Sequence, residues 1–140
     1  MLPLTLNNNE IKDSAGVEIE FQRFGTDIGR KLEFFKIGEN PAYPHRLGIS
    51  HQERGAGIRL RRRSQCWVKL THLSSVDNVT PVTSLIYQIA DLPVGAISSY
   101  AVPLSLNANL LSFMASKGAS TTILYDGTGY GSEALINGSL

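Results

Sequence analysis

Cysteine is the scarcest functional residue type in this sequence. The lone Cys66 among 140 residues excludes an internal disulfide framework and a multi-cysteine metal site, and it fits a reducing compartment. The three histidines, His45, His51 and His72, are too scattered to define a metal centre. Long apolar runs are also missing. None approaches the ~18 residues that a membrane-spanning helix needs. The opening MLPLTLNNNE lacks the basic start of a signal peptide, so the sequons at Asn78 and Asn137 read as accidental. A net charge of +1 excludes a generally basic nucleic-acid-coating protein, and a 42% apolar content excludes wholesale disorder. Catalytic motifs are lacking too. DGTGYG (126–131) has glycines but not the following Lys-Ser/Thr of a phosphate loop, and it reads as a turn. Asp91, before Pro93 at a strand end, needs only a cap or turn role. No Ser-His-Asp or paired-carboxylate arrangement stands out, so neither an enzyme, a cofactor nor a metal is expected.

What the chain does have is an uneven distribution of charge. Residues 54–69 contain Arg54, Arg59, Arg61, Arg62, Arg63 and Lys69, six of the thirteen basic residues, and no acid. From residue 70 onward Lys117 is the only basic residue, against four acids. Such asymmetry points to a localised anionic partner.

The first two-thirds of the chain reads as strands. LPLTL (2–6) is a short strand closed by Asn7, Asn8 and Asn9. GVEIEFQRFG (16–25) alternates strictly, with Val17, Ile19, Phe21 and Arg23 on one side. RKLEFFKI (30–37) is the third strand, with Phe34 or Phe35 facing inward, and GENPAYP is a loop. HRLGISHQE (45–53), a Gly-rich hairpin turn at RGAG, RLRRRSQCWVKLTHL (59–73), the polar loop SSVDNVTP, and PVTSLIYQIADLP (81–93) follow. Short connections imply a mostly antiparallel meander. From Ser98 to Lys117 the spacing becomes helical, with Leu106, Leu110, Phe113 and Met114 on one face, Ser98 or Ser99 as cap, and Pro103 in the first turn or at a kink. A short second helix lies near residues 131–136. The fold class is α+β, a single domain over 1–140 with a β-sheet region at 1–93 and a helical region at 94–140. One main helix cannot cover both faces of such a sheet. Its surplus apolar residues fit packing on its own sheet or on that of a second copy in a two-fold dimer.

Alternation in the fifth strand separates two chemistries. Ser64, Cys66, Val68 and Leu70 point one way; Arg61, Arg63, Gln65, Trp67 and Lys69 point the other. From the fourth strand Arg46, Gly48, Ser50 and Gln52 join the second set, and from the sixth Tyr87, which shares its face with Leu85 and Ile89. Cations for phosphates, amides for base edges and aromatics for unpaired bases are what a sheet needs to bind single-stranded or hairpin RNA. The plain alternative is a strand that keeps arginines outward against edge aggregation.

The order of these elements resembles a coat protein of the single-stranded RNA bacteriophages, the levivirus group. The likeness is sharpest in RLGISHQERGAGIRLRRRSQCWVKL (46–70) and in the passage from strand through Pro93 to helix. The resemblance implies an interlocked homodimer with one continuous sheet, an icosahedral shell of T=3 type around the RNA genome, and assembly in the bacterial host cytoplasm with no membrane partner. It implies RNA contacts, with the genome or with an operator hairpin for translational repression, at Gly48, Ser50, Gln52, Arg63, Gln65, Trp67 and Tyr87. The loop at 74–80 corresponds to the one that lines the symmetry-axis openings. Trp67 and Gly48 depart from the small polar or basic residues usual there. A non-viral β-rich RNA-binding module is the alternative.

Overall fold

A computed structural model of the protein describes residues 5, 6, 11–24 and 29–139. Six strands, β1 (Thr5–Leu6), β2 (Phe21–Arg23), β3 (Lys31–Lys36), β4 (His45–Arg54), β5 (Arg61–Leu73) and β6 (Pro81–Leu92), pair in chain order into one antiparallel sheet. Two helices follow, α1 (Ala101–Ala115) and α2 (Tyr130–Asn137). The expected α+β order, meander first and helices last, is therefore observed. The chain divides into two compact units, one holding the strands and the other the helices together with the turn at 12–18.

In the sheet unit the ladder fixes two faces. Phe34 pairs with Leu47, which pairs with Val68, so Phe21, Leu32, Phe34, Leu47, Ile49, Cys66, Val68 and Leu70 share one face. Phe34 and Phe21 are the buried side chains here, at 0% and 1% exposure. Each such burial contributes about 1.5–3 kcal/mol. His45 meets the Phe21 ring edge-on, with centroids 5.1 Å apart. Burial first, and the Lys36 charge second, push the His45 imidazole below its usual 6.5.

Two boundaries differ from the sequence reading, each for a local reason. The strand expected over 16–25 is reduced to β2. Asp13 accepts hydrogen bonds from the Ala15 and Val17 amides at 2.9 Å, and Gly16 takes φ +77°, so a side-chain-braced turn holds this end and leaves Val17 exposed. The fifth strand begins at Arg61 because residues 57–59 form a 3-10 turn, closed by Leu60 N–H donating to Gly57 O at 3.1 Å. Residues 2–4 and Asn7, Asn8 and Asn9 lie outside the described residues.

In the helical unit α1 starts at Ala101, whose N–H donates to Ser99 Oγ at 3.2 Å. Pro103 sits in the first turn, where no intrahelical N–H bond is lost. The expected stripe is not buried within the chain: Leu106, Leu110 and Phe113 are exposed, as are Val102, Leu104 and Leu111 around the rest of the helix. Apolar side chains occupy most of the helix circumference, interrupted on one side by Ser105, Asn109 and Ser112, so much of the apolar surface of α1 is left exposed in the single chain. DGTGYG is a turn leading into α2. Its glycines serve packing, since a Cβ on Gly129 would stand 2.2 Å from Met114 O and one on Gly131 2.6 Å from the Phe113 ring. Ser132 Oγ donates to Met114 O at 2.7 Å and completes the joint.

Gly131→Ala should therefore force α2 off α1 and cost about 1–3 kcal/mol, read as a lower midpoint in thermal unfolding. A pH effect follows from His45. Its folded pKa is depressed, so the stability it contributes is present above pH 6.5 and lost as pH falls through the folded value. Denaturant titrations on either side of pH 6.5 should show this loss in the native chain and a smaller one in His45→Gln.

Candidate nucleic-acid interface

The opposite sheet face collects the charged and aromatic residues. Across β4 and β5 the pairs are Arg54 with Arg61, Gln52 with Arg63, Ser50 with Gln65, Gly48 with Trp67, and Arg46 with Lys69. Across β5 and β6, Trp67 stands opposite Tyr87, Gln65 opposite Ile89 and Lys69 opposite Leu85. Arg61, Arg63, Gln65, Trp67, Lys69, Gly48, Ser50, Gln52 and Tyr87 are thus brought onto one surface by register alone.

Its centre is an indole lying on a glycine. A Cβ at Gly48 would fall 2.3 Å from Trp67 Cζ2 and 2.5 Å from Cε2, so the missing side chain is what lets the ring lie down across β4. The departures noted at Gly48 and Trp67 are one feature. Lys69 Nζ stands 5.3 Å from the centroid of the ring and Lys31 Nζ 5.9 Å. Lys31 was not singled out from the sequence. With Phe34 inward, parity turns Lys31, Glu33 and Phe35 to this face, but the pairing of Lys31 with Ser50 that carries it to Trp67 is a tertiary fact. Lys31 also meets Glu33 at 3.1 Å. Tyr87 is 54% exposed, and its neighbours Leu85 and Ile89 are exposed as well.

At one end of the strands Gln52, Glu53, Arg54, Arg61, Arg63 and Asp91 line an open cleft of about 400 Å³. Asp91 is no cap or turn residue: its carboxylate accepts from Arg61 Nε at 2.9 Å and its carbonyl from Arg61 at 3.3 Å. Arg61 is therefore partly neutralised, whereas Arg63 has no carboxylate partner among the described residues. At the other end Arg46 is occupied by Glu39 at 2.8 Å and by the Phe24 ring at 4.8 Å. Arg62 points to the apolar face, level with Glu53 on β4 and Leu92 on β6. Cys66 also lies on the apolar face, exposed to solvent, with partial burial pushing its thiol up.

The 74–80 loop is internally braced. Asp77 accepts hydrogen bonds from the Val79 and Thr80 amides at 3.0 Å and from the Thr80 hydroxyl, which hold its carboxyl down to about 2. Val76 and Val79 project from this frame at 93% and 75% exposure. Among the described residues no group of three or more His, Cys, Asp or Glu could hold a metal ion, and no helix is long and apolar enough to cross a membrane.

No family model and no curated sequence matches the chain. Among solved structures it is similar to a chain of the virus-like particle of bacteriophage AVE015, with TM-score 0.51 and 10% identity over 86% of this chain and 80% of that one. It also aligns with the virus-like particles of Beihai levi-like virus 21 (TM-score 0.48, 16% identity, 73% and 79% of the two chains) and Beihai levi-like virus 32 (0.46, 16%, 75% and 92%). The AVE015 match establishes a shared fold: the antiparallel meander followed by two C-terminal helices.

Gly48→Ala should lift the indole off β4. Because Trp67 is the only tryptophan, its fluorescence should shift to the red and become more accessible to a neutral quencher, while far-UV dichroism stays unchanged.

Proposed function

We propose that this chain is a structural, non-enzymatic capsid protein of an RNA bacteriophage, and that its charged sheet face lines the inside of the shell and binds RNA. The observation that carries the reading is the fold shared with the chain of the AVE015 virus-like particle along most of both chains. The surface chemistry supports it independently. Val68, Leu70, Val82, Ile86 and, on α1, Val102, Leu104, Leu106, Leu110, Leu111 and Phe113 expose apolar side chains in the single chain, and Phe21, Phe34 and Ala115 are the only buried hydrophobic residues among those described. Strand β6 ends the sheet order, runs for 12 residues, and carries one charge, Asp91. A long exposed edge without lysine or an interior proline invites pairing rather than resisting it.

In this reading the building block is a two-fold homodimer. The β6 edges of two copies join their sheets, and each copy's helices cover apolar sheet surface on the other. Dimers then close into an icosahedral shell of T=3 type, assembled in the host cytoplasm and located in the virion. The braced 74–80 loop, with Val76 and Val79 at its tip, lies at the contacts around the symmetry axes. Inside, Arg63, Lys69 and the cleft arginines meet phosphates, while Gln65, Ser50 and Gln52 reach base edges and Tyr87 offers a stacking surface. Binding of an operator hairpin for translational repression belongs to the same face.

Expression in bacteria tests the whole reading. Particles visible by electron microscopy and holding nuclease-protected RNA are expected; a chain that stays monomeric or dimeric would overturn the capsid assignment. Arg63→Ala should reduce the RNA held per particle and lower the salt dependence of RNA binding by about 0.7 in slope. Arg61→Ala should do less, because Asp91 already offsets that charge. Both variants should fold normally; loss of folding with unchanged RNA content would remove the charged face from the RNA role.

A further inference from the structure

Trp67 looks at first like a base-stacking platform, being the largest aromatic on the charged face. Its surroundings argue otherwise. The six-membered part of the indole lies against the Gly48 backbone, so close that a single Cβ there would collide with three ring atoms. Lys31 and Lys69 bring their ammonium groups to within 5.9 and 5.3 Å of the ring centroid, from β3 and β5 respectively. Trp67 is mostly covered, while Tyr87, directly opposite on β6, is 54% exposed. A nucleobase stacking on Trp67 would have to displace two cations from an aromatic face that attracts them.

We infer that Trp67 is a positioning residue, not a stacking one: it gathers Lys31 and Lys69 into a phosphate-binding site, so that the backbone of an unpaired RNA strand, rather than a base, crosses this point of the sheet. This rests on the RNA-binding reading above and assigns Lys31 to it. The physical gain is preorganisation. A free lysine is a flexible four-carbon stem whose ordering costs about 0.5–1.5 kcal/mol on binding. A lysine already resting on an indole has given up part of that freedom beforehand. The Glu33 carboxylate, 3.1 Å from Lys31 Nζ, holds the same ammonium from its other side. Surface pairs of this kind are weak, so an incoming phosphate can replace the carboxylate. Base contacts then fall to Tyr87, one strand away, whose ring is open and, among the described residues, has no cation over it. Sequence preference on this face accordingly comes from Tyr87 and the neighbouring amides, and Trp67 contributes affinity that is indifferent to sequence.

The test uses the full-length protein and a short oligouridine without secondary structure, titrated over a range of salt concentrations. Lys31→Met and Lys69→Met should each lower the slope of log affinity against log salt by about 0.7, and the double variant by about 1.4. Both lysines are at least partly exposed, so these variants keep the fold. Tyr87→Ala should weaken binding without changing the slope. Trp67, as the only tryptophan, reports directly on stacking: its emission should survive saturation with oligouridine. If the lysine variants leave the slope unchanged, or if Trp67 is strongly quenched in step with binding, a base stacks on the indole and the inference is wrong. A native chain that binds no oligouridine at all would instead remove the RNA reading, and this inference with it.

Discussion

Everything in the sheet depends on the parity of β5. In a pleated strand each side chain takes the face opposite its neighbour's, so one register choice sorts all thirteen residues at once. Pairing Trp67 with Gly48 on one side and Tyr87 on the other makes that choice. A slip by one residue would push Arg63 and Lys69 among Phe34 and Leu47, and set Val68 and Leu70 among the cations. The cost of burying unpaired charge far exceeds that of any single lost ladder bond. The close seat of the indole on Gly48 reinforces the register, since any other β4 residue at that level would carry a Cβ into the ring.

The charged face is also less uniformly cationic than its sequence suggests, and the differences are useful. Arg46 is spent on Glu39 and Phe24, and Arg61 on Asp91, whereas Arg63 and Lys69 have no carboxylate partner among the described residues. Exposed ion pairs contribute little to folding. Their larger effect is to hold guanidinium groups in place and lower the local charge, leaving a graded surface with its available cations along the middle of β5. On the opposite face Arg62 stands level with Glu53, which is ion-paired with Arg30 at 2.9 Å.

How much of this could be read from the chain follows from which contacts are local. Period-2 alternation is local, so β4, β5 and β6 and the division of Arg61, Arg63, Gln65, Trp67 and Lys69 from Cys66, Val68 and Leu70 were legible, whereas the choice between a first-turn and a kinking Pro103 needed the observed start of α1 at Ala101. The truncation of the 16–25 strand was not, because an alternating pattern competes there with the turn braced by Asp13, whose hydrogen bonds reach only two and four residues along. Choosing Phe34 over Phe35 for the core needed the pairing with Leu47. Asp91 looked like a turn residue because its partner Arg61 lies thirty positions away. Lys31 was invisible for the same reason: its role depends on a ladder linking β3 to β5 through β4.

The exposed surfaces of the single chain are best understood as a consequence of the same parity. A sheet with one polar face has only its other face to offer as core, and Phe21 and Phe34 fill just the β2–β3 end of it. Along β5 and β6, Val68, Leu70, Val82 and Ile86 remain open, and α1 presents Leu104, Leu106, Leu110 and Phe113 without an apolar stripe of its own choosing. A helix with one apolar side could satisfy itself on one surface; one that is apolar around most of its circumference leaves more to cover than a single contact can. Likewise an edge strand as long and as uncharged as β6 is stable against unwanted pairing only when its pairing is already taken. Completing the apolar face, enclosing α1 and closing the β6 edge are three separate physical demands. A single two-fold association of identical chains, as in the proposed building block, would meet all of them together.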